Sequence, residues 1–305
     1  MPALLGSLIA VLLLAAFVPV AAAAEAVVVA SKIDTEGALL GNMIVALLEA
    51  RGVAVDNRLQ LGPTNIVRGA ILAGQIDLYP EYTGNGALFF HDETAPAWKD
   101  HARGWETVKR LDREANHLIW LTPARANNTW TIAVRRDLAE HEALKSMDDL
   151  AAYLARGGHF KLAASAEFVE SPSALPAFEA TYGFRLSDGQ LLTLSGGNTA
   201  ATLRAAAERM SGVNAAMAYG TDGALAALGL VALADDKGAQ IVYAPAPVVR
   251  ETVLQQHPQI TEALEPVFAS LSLETLQRLN AAIAVEGEDA RSVAVSYLRS
   301  QRMLP

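Results

Sequence analysis

The chain has 305 residues, 52% of them apolar, so it can bury a large core and build two lobes; it is not a disordered chain. A formal charge of −9 argues against nucleic acid or an anionic lipid surface as a partner held by bulk charge. Cysteine is absent, which excludes a disulfide framework, a thiolate metal site and a cysteine-linked lipid anchor.

Residues 1–24 hold an apolar run, then small residues, and no charged side chain. They read as a secretory signal peptide cut near Ala24, at an Ala22-x-Ala24 site, with only the terminal amine supplying positive charge. The alternative is a retained anchor, for which the uninterrupted apolar part is short. The expected localisation is therefore the periplasm.

From residue 26 the run AVVVASK predicts a buried parallel strand. Apolar residues at three and four residue spacing predict a helix from Thr35, its expected cap, to Gly52. A strand over 59–61, a helix capped by Thr64 and ended by Gly74, and a strand from Ile76 that stops at Pro80 complete a parallel winding. That last strand delivers Tyr79 and Tyr82 to its C-terminal end, where ligands sit in open α/β sheets. Residues 90–118 read as a charged helix and 119–122 as a strand.

PARANNTWTIAVRRD marks a first crossing, with a new strand starting at Trp130. Ser146 and Asp149 have capping-box spacing ahead of a helix over 148–155. Strands over 160–164, 191–194 and 214–219 alternate with helices over 175–181 and 199–210, repeating the α/β pattern. Strands over 231–234 and 241–243 follow, and prolines 245 and 247 favour an extended connection. Three helices, over 262–270, 274–283 and 290–298, close the chain and are expected to pack on the first lobe. The expected architecture is two α/β lobes joined by two hinge strands near Asn127 and Tyr243. Residues 25–126 and 243–305 form lobe 1, and residues 127–242 form lobe 2.

Chemistry-bearing patterns are sparse. No Gly-x-Ser-x-Gly elbow occurs, the six histidines lack metal-ligand spacing, and Gly196-Gly197-Asn198-Thr199 reads as a helix cap before it reads as an anion site. Neither a metal nor a cofactor is expected. An enzyme reading would rest on Asp77 or Glu81 as a general base, and a sensor using the same cleft is a second rival.

Ser31-Lys32 with Thr35-Glu36, YPEYTGNG at 79–86, NNTWTIAV at 127–134, AYGTDG at 218–223 and YAPAPVV at 243–249 occur in order along the chain. Together they resemble the periplasmic substrate-binding proteins of osmoprotectant ABC importers, which bind glycine betaine, choline and related quaternary amines. The resemblance implies a type II-like periplasmic-binding fold, an inner-membrane permease as partner, and a monomer. It also implies an aromatic box at Tyr82, Trp130, Tyr219 and Tyr243. Asn85 and Asn128 match positions that orient the ligand, and Lys32 matches a lysine that reaches its carboxylate. Tyr79 is better read as core. Rings suit such ligands because a trimethylammonium group has no proton to donate and carries its charge on methyl groups that fit negative ring faces. One departure matters: Ser171 stands where tight glycine betaine binders of this family carry a carboxylate-clamping arginine, so weak glycine betaine binding, or a ligand without a carboxylate, is expected.

Overall fold

The computed structural model describes residues 26–194 and 199–304. The signal peptide read over residues 1–24, and Gly196, Gly197 and Asn198 of the run read as a helix cap, lie outside the described residues. The strands are β1 (Val27–Lys32), β2 (Val55–Gly62), β3 (Leu78–Tyr82), β4 (Leu118–Trp120), β5 (Trp130–Arg135), β6 (Leu162–Ser165), β7 (Leu191–Leu194), β8 (Ala215–Tyr219), β9 (Leu230–Ala232) and β10 (Pro245–Arg250).

They form two five-stranded sheets of matching layout. The first runs β2-β1-β3-β10-β4 and the second β7-β6-β8-β5-β9. In each, three strands are parallel and the fourth runs antiparallel to the third. The inner parallel strands β1 and β6 are apolar and buried almost along their whole length, whereas the edge strand β2, VDNRLQLG, is polar and largely exposed. Mixed α/β lobes of this kind place the C-terminal ends of β1 and β3 toward the second sheet.

The chain leaves the first sheet after β4 and returns to it at β10. The two crossing segments are not strands, contrary to the reading of residues 241–243. They run side by side: the Asn128 amide donates to the Tyr243 carbonyl at 2.9 Å, and the Tyr243 amide to Asn127 Oδ1 at 2.8 Å. Thr129 Oγ1 donates to the Ile241 carbonyl at 2.7 Å. The crossings are thus tied by side chains as well as backbone.

Two proline-based readings need correction. β3 does not stop at Pro80, and residues 245–250 are not a loose connection but a strand inside the sheet. Pro80 and Pro247 face each other in the β3–β10 ladder. Antiparallel ladders alternate bonded and non-bonded pairs, so two prolines that cannot donate fit together at a non-bonded position. Asp34, not Thr35, caps helix Thr35–Ala50, accepting from the Gly37 amide at 2.7 Å. The expected single helix over 90–118 is instead a helix at Asn85–Phe89, a 3₁₀ turn at Pro96–Lys99 and a helix at His101–Asn116. The Ser146–Asp149 capping box is present.

The closing helices Gln259–Ser270, Leu273–Ala284 and Ala290–Ser300 bury Leu264, Leu276 and Leu298 in one core with Leu40, Ile44 and Leu47 of helix Thr35–Ala50. Helix Leu273–Ala284 also meets the loop after β8. Gln277 Nε2 donates to the Gly220 carbonyl at 2.7 Å and Asn280 Nδ2 to that of Thr221 at 3.0 Å. Gly223 permits this approach, since a Cβ there would lie 2.2 Å from the Ala281 nitrogen.

Candidate functional site

A cavity of about 740 Å³ lies between the two sheets. Its first wall comes from the ends of β1 and β3 and the start of helix Thr35–Ala50, its second from β5, β8 and the loop that follows. Lys32, Tyr82, Asn85, Asn128, Trp130, Tyr219 and Tyr243, drawn from well-separated segments of the sequence, all line it. Tyr79 does not; it is fully buried, with its hydroxyl 3.2 Å from Glu81 Oε2.

The rings are placed by sheet geometry. Trp130 and Tyr219 are direct cross-strand partners on β5 and β8, so their side chains leave the same face. Trp130 also meets Phe168 at 5.4 Å between centroids. Tyr82 ends β3, and Tyr243 is fixed by the paired crossings. Gly84 lets the Tyr243 ring approach the backbone, since a Cβ at 84 would lie 2.8 Å from that ring. Gly84 lies in the turn that follows β3, and Gly86, in the first turn of helix Asn85–Phe89, packs closely on Trp98 and Val108. Burial pushes the phenol pKa values of Tyr82, Tyr219 and Tyr243 up, so all three stay neutral.

Lys32 is only 6% exposed. Its ammonium is bound to Glu81 Oε1 at 2.5 Å and sits 4.6 Å from the Tyr82 ring centroid. Glu81 in turn accepts from Asn85 Nδ2 and the Tyr82 amide, each at 2.7 Å. Lys32 is therefore occupied by a carboxylate of the protein, and one face of Tyr82 already carries a cation. Asp77 is equally committed, accepting from the Val28 amide at 2.9 Å and from Arg250 at 3.1 Å. Neither Asp77 nor Glu81 lines the cavity.

Sequence reasoning missed the carboxylates. Asp34, Glu36, Glu167 and Asp222 line the cavity, and among the described residues Lys32 is its one basic lining residue. Glu36 and Asp222 lay inside the quoted motifs, but nothing in their spacing marked them as buried. Glu36 accepts from Tyr82 Oη at 2.8 Å, Asn280 Nδ2 at 2.7 Å and Asn128 Nδ2 at 3.4 Å. Burial raises its pKa to about 7 against the lowering effect of these donors, and Asp34 adds to the rise. Burial also raises that of Asp222, which accepts from the Tyr219 amide at 2.8 Å.

Ser171 lines a smaller adjoining cavity of about 250 Å³ that shares Asn85, Trp130, Glu167 and Tyr243 with the first. Among the described residues no arginine lines either cavity. The arrangement can accept a small cation on ring faces within an acidic, partly dry cleft. It offers a ligand carboxylate no free guanidinium.

Two like-built α/β lobes, paired crossings and a cleft between them define a two-lobed ligand-binding protein of the type II periplasmic class. The chain belongs to the OpuAC family, the substrate binding domain of ABC-type glycine betaine transport systems, whose model matches residues 25–300. It is 63% identical over 279 residues to the glycine betaine-binding protein YehZ of Escherichia coli K12, covering 92% of each chain. It is 32% identical over 291 residues to a glycine-betaine-binding protein of Pseudomonas aeruginosa, covering 93% of this chain and 90% of that one. The structure of apo YehZ from Escherichia coli superposes with a TM-score of 0.85 at 62% identity, covering 92% of this chain and all of that one.

Proposed function

We propose that this protein is the periplasmic solute-binding component of an ABC importer and holds a quaternary ammonium solute among Tyr82, Trp130, Tyr219 and Tyr243. The observation that carries the reading is the convergence of these four rings, from separate segments, on one cleft whose lining carries four carboxylates and one already paired lysine. Each ring contributes about 0.5–2 kcal/mol to a bound cation, so the set supports micromolar to millimolar affinity. Asn85 and Asn128 fix the inner ring positions through Glu81 and Glu36. Membership of the OpuAC family and the ligand named for its relatives support the same class of solute.

With Ser171 beside the cleft and no lining arginine, the favoured ligand is a quaternary amine without a carboxylate, such as choline, and glycine betaine binds more weakly. The crossings around Asn128 and Tyr243 act as the hinge between lobe 1, residues 25–126 and 243–305, and lobe 2, residues 127–242; closure presents the loaded protein, a monomer, to a membrane permease. A signal peptide removed near Ala24 accounts for export.

Tryptophan fluorescence titrated with choline, glycine betaine, carnitine and amino acids tests the ligand class. A response confined to quaternary amines supports it, and a response to amino acids alone overturns it. Loss of labelled choline uptake on deletion of the gene separates transport from a sensor role, which predicts unchanged uptake.

A further inference from the structure

Glu36 is 5% exposed, lines the ligand cavity and forms no ion pair among the described residues. Everything that touches its carboxylate donates: the Tyr82 hydroxyl, the amide nitrogens of Asn128 and Asn280, and the side chain of Thr221. To make those contacts both asparagines leave their own buried Oδ1 atoms without a partner. A buried unpaired acceptor is costly, so the cluster is arranged for an ionised carboxylate at some expense. Its position in the first turn of helix Thr35–Ala50 favours the anion as well. Burial works in the opposite direction, and the ammonium of Lys32, the lining lysine, is paired with Glu81 and not with Glu36.

We propose that Glu36 is the counter-ion of the bound cation and that capture of the cation expels the proton Glu36 holds in the free protein. This rests on the quaternary-amine reading and adds a residue and a proton linkage to it. Several titratable and charged groups surround Glu36. Lys32 and Glu81 neutralise each other. Asp34, the helix cap, disfavours a second negative charge nearby. Asp222, after β8, and Glu167 of helix Ala166–Glu170 line the same cavity, and burial raises the pKa of Asp222 as well. Tyr82, Tyr219 and Tyr243 are neutral phenols.

The sign of the linkage follows. Burial raises the free-state pKa to about 7, so the proton is held below that pH and must leave before the cation is neutralised. Affinity therefore rises with pH and levels off once Glu36 is ionised in the free protein. Tetramethylammonium chloride is the probe, because it neither titrates nor donates. Calorimetry on the whole chain is expected to show affinity about tenfold weaker at pH 6 than at pH 8. In two buffers of different ionisation enthalpy it is expected to show release of close to one proton per ligand near pH 6. Glu36→Gln is expected to remove both effects. Should that variant fail to fold, carboxyl-carbon NMR of the wild-type protein must show the Glu36 pKa falling on addition of the ligand. Tight binding with flat pH dependence and no proton release overturns the inference and leaves the ligand class standing. No binding at any pH overturns both.

Discussion

Trp130 and Tyr219 stack on each other across the β5–β8 ladder, with ring centroids 4.4 Å apart and planes 25° from parallel. The two rings support each other, so each holds its partner's face in position for a ligand. Trp130→Ala and Tyr219→Ala are each expected to weaken choline binding by about 1 kcal/mol or more. The double variant is expected to lose less than the sum, because residues in contact do not act independently. Calorimetry of the four-member cycle checks this; full affinity in both single variants would place the ligand elsewhere.

The Tyr243 ring is held by an absence. A Cβ at position 84 would come within 2.8 Å of that ring and 2.7 Å of Ile241 Cγ2. Gly84 has φ −64, which alanine adopts freely, so Gly84→Ala acts through contact and not backbone strain. The variant is expected to displace Tyr243 and lower choline affinity by about 0.5–1 kcal/mol, with Trp130 fluorescence in the free protein little changed. Unaltered affinity would show that Tyr243 does not touch the ligand.

Ser171 offers a gain of function. It lies beside Trp130 and Tyr243 around the smaller cavity, where a longer basic side chain could reach toward the rings. Ser171→Arg is expected to shift the ratio of glycine betaine to choline affinity about tenfold toward glycine betaine, as one charge-assisted hydrogen bond would. Competition between the two solutes measures that ratio. An unchanged ratio would mean that the carboxylate lies elsewhere in the cleft.

Stability of the first lobe depends on a buried pair that does not line the cleft. Asp112 accepts from Arg68 Nη1 at 2.8 Å and Nη2 at 2.7 Å, and also from Trp120 Nε1 at 2.7 Å. Asp112→Ala strands a buried guanidinium and an indole N–H together. A loss of about 3–5 kcal/mol is expected, read as a lower urea midpoint, because removing one partner leaves the other charge uncompensated. A change below about 1 kcal/mol would show that water reaches Arg68.

β1 was legible in the sequence because its burial leaves a β-branched and small apolar run, VVVAS, whereas the polar, exposed β2 extends from Val55 to Gly62, well beyond the expected 59–61. β7 was read at its observed limits, and the Ser146 capping box announced its helix. The prolines misled: a single proline interrupts a ladder, but Pro80 and Pro247 meet each other, a pairing that spans 167 residues and leaves no local trace. The seven proposed site residues came from matching motifs to a family, since no spacing of their own brings Tyr82 near Tyr219. Glu36 escaped notice because its burial is created by Asn280, which lies 244 positions away. The hydrogen bond that makes it a buried acid exists only after the closing helices pack.

The positive charge of the ligand, held on ring faces, is the centre of this account, and a neutral isostere isolates it. Calorimetry comparing choline with 3,3-dimethylbutan-1-ol, which replaces the ammonium nitrogen by carbon and keeps the shape, is expected to show choline bound at least about tenfold more tightly, as two or more ring contacts would require. Equal affinity for the two would mean that the cleft reads shape and apolar surface, and would contradict the role assigned here to its aromatic residues.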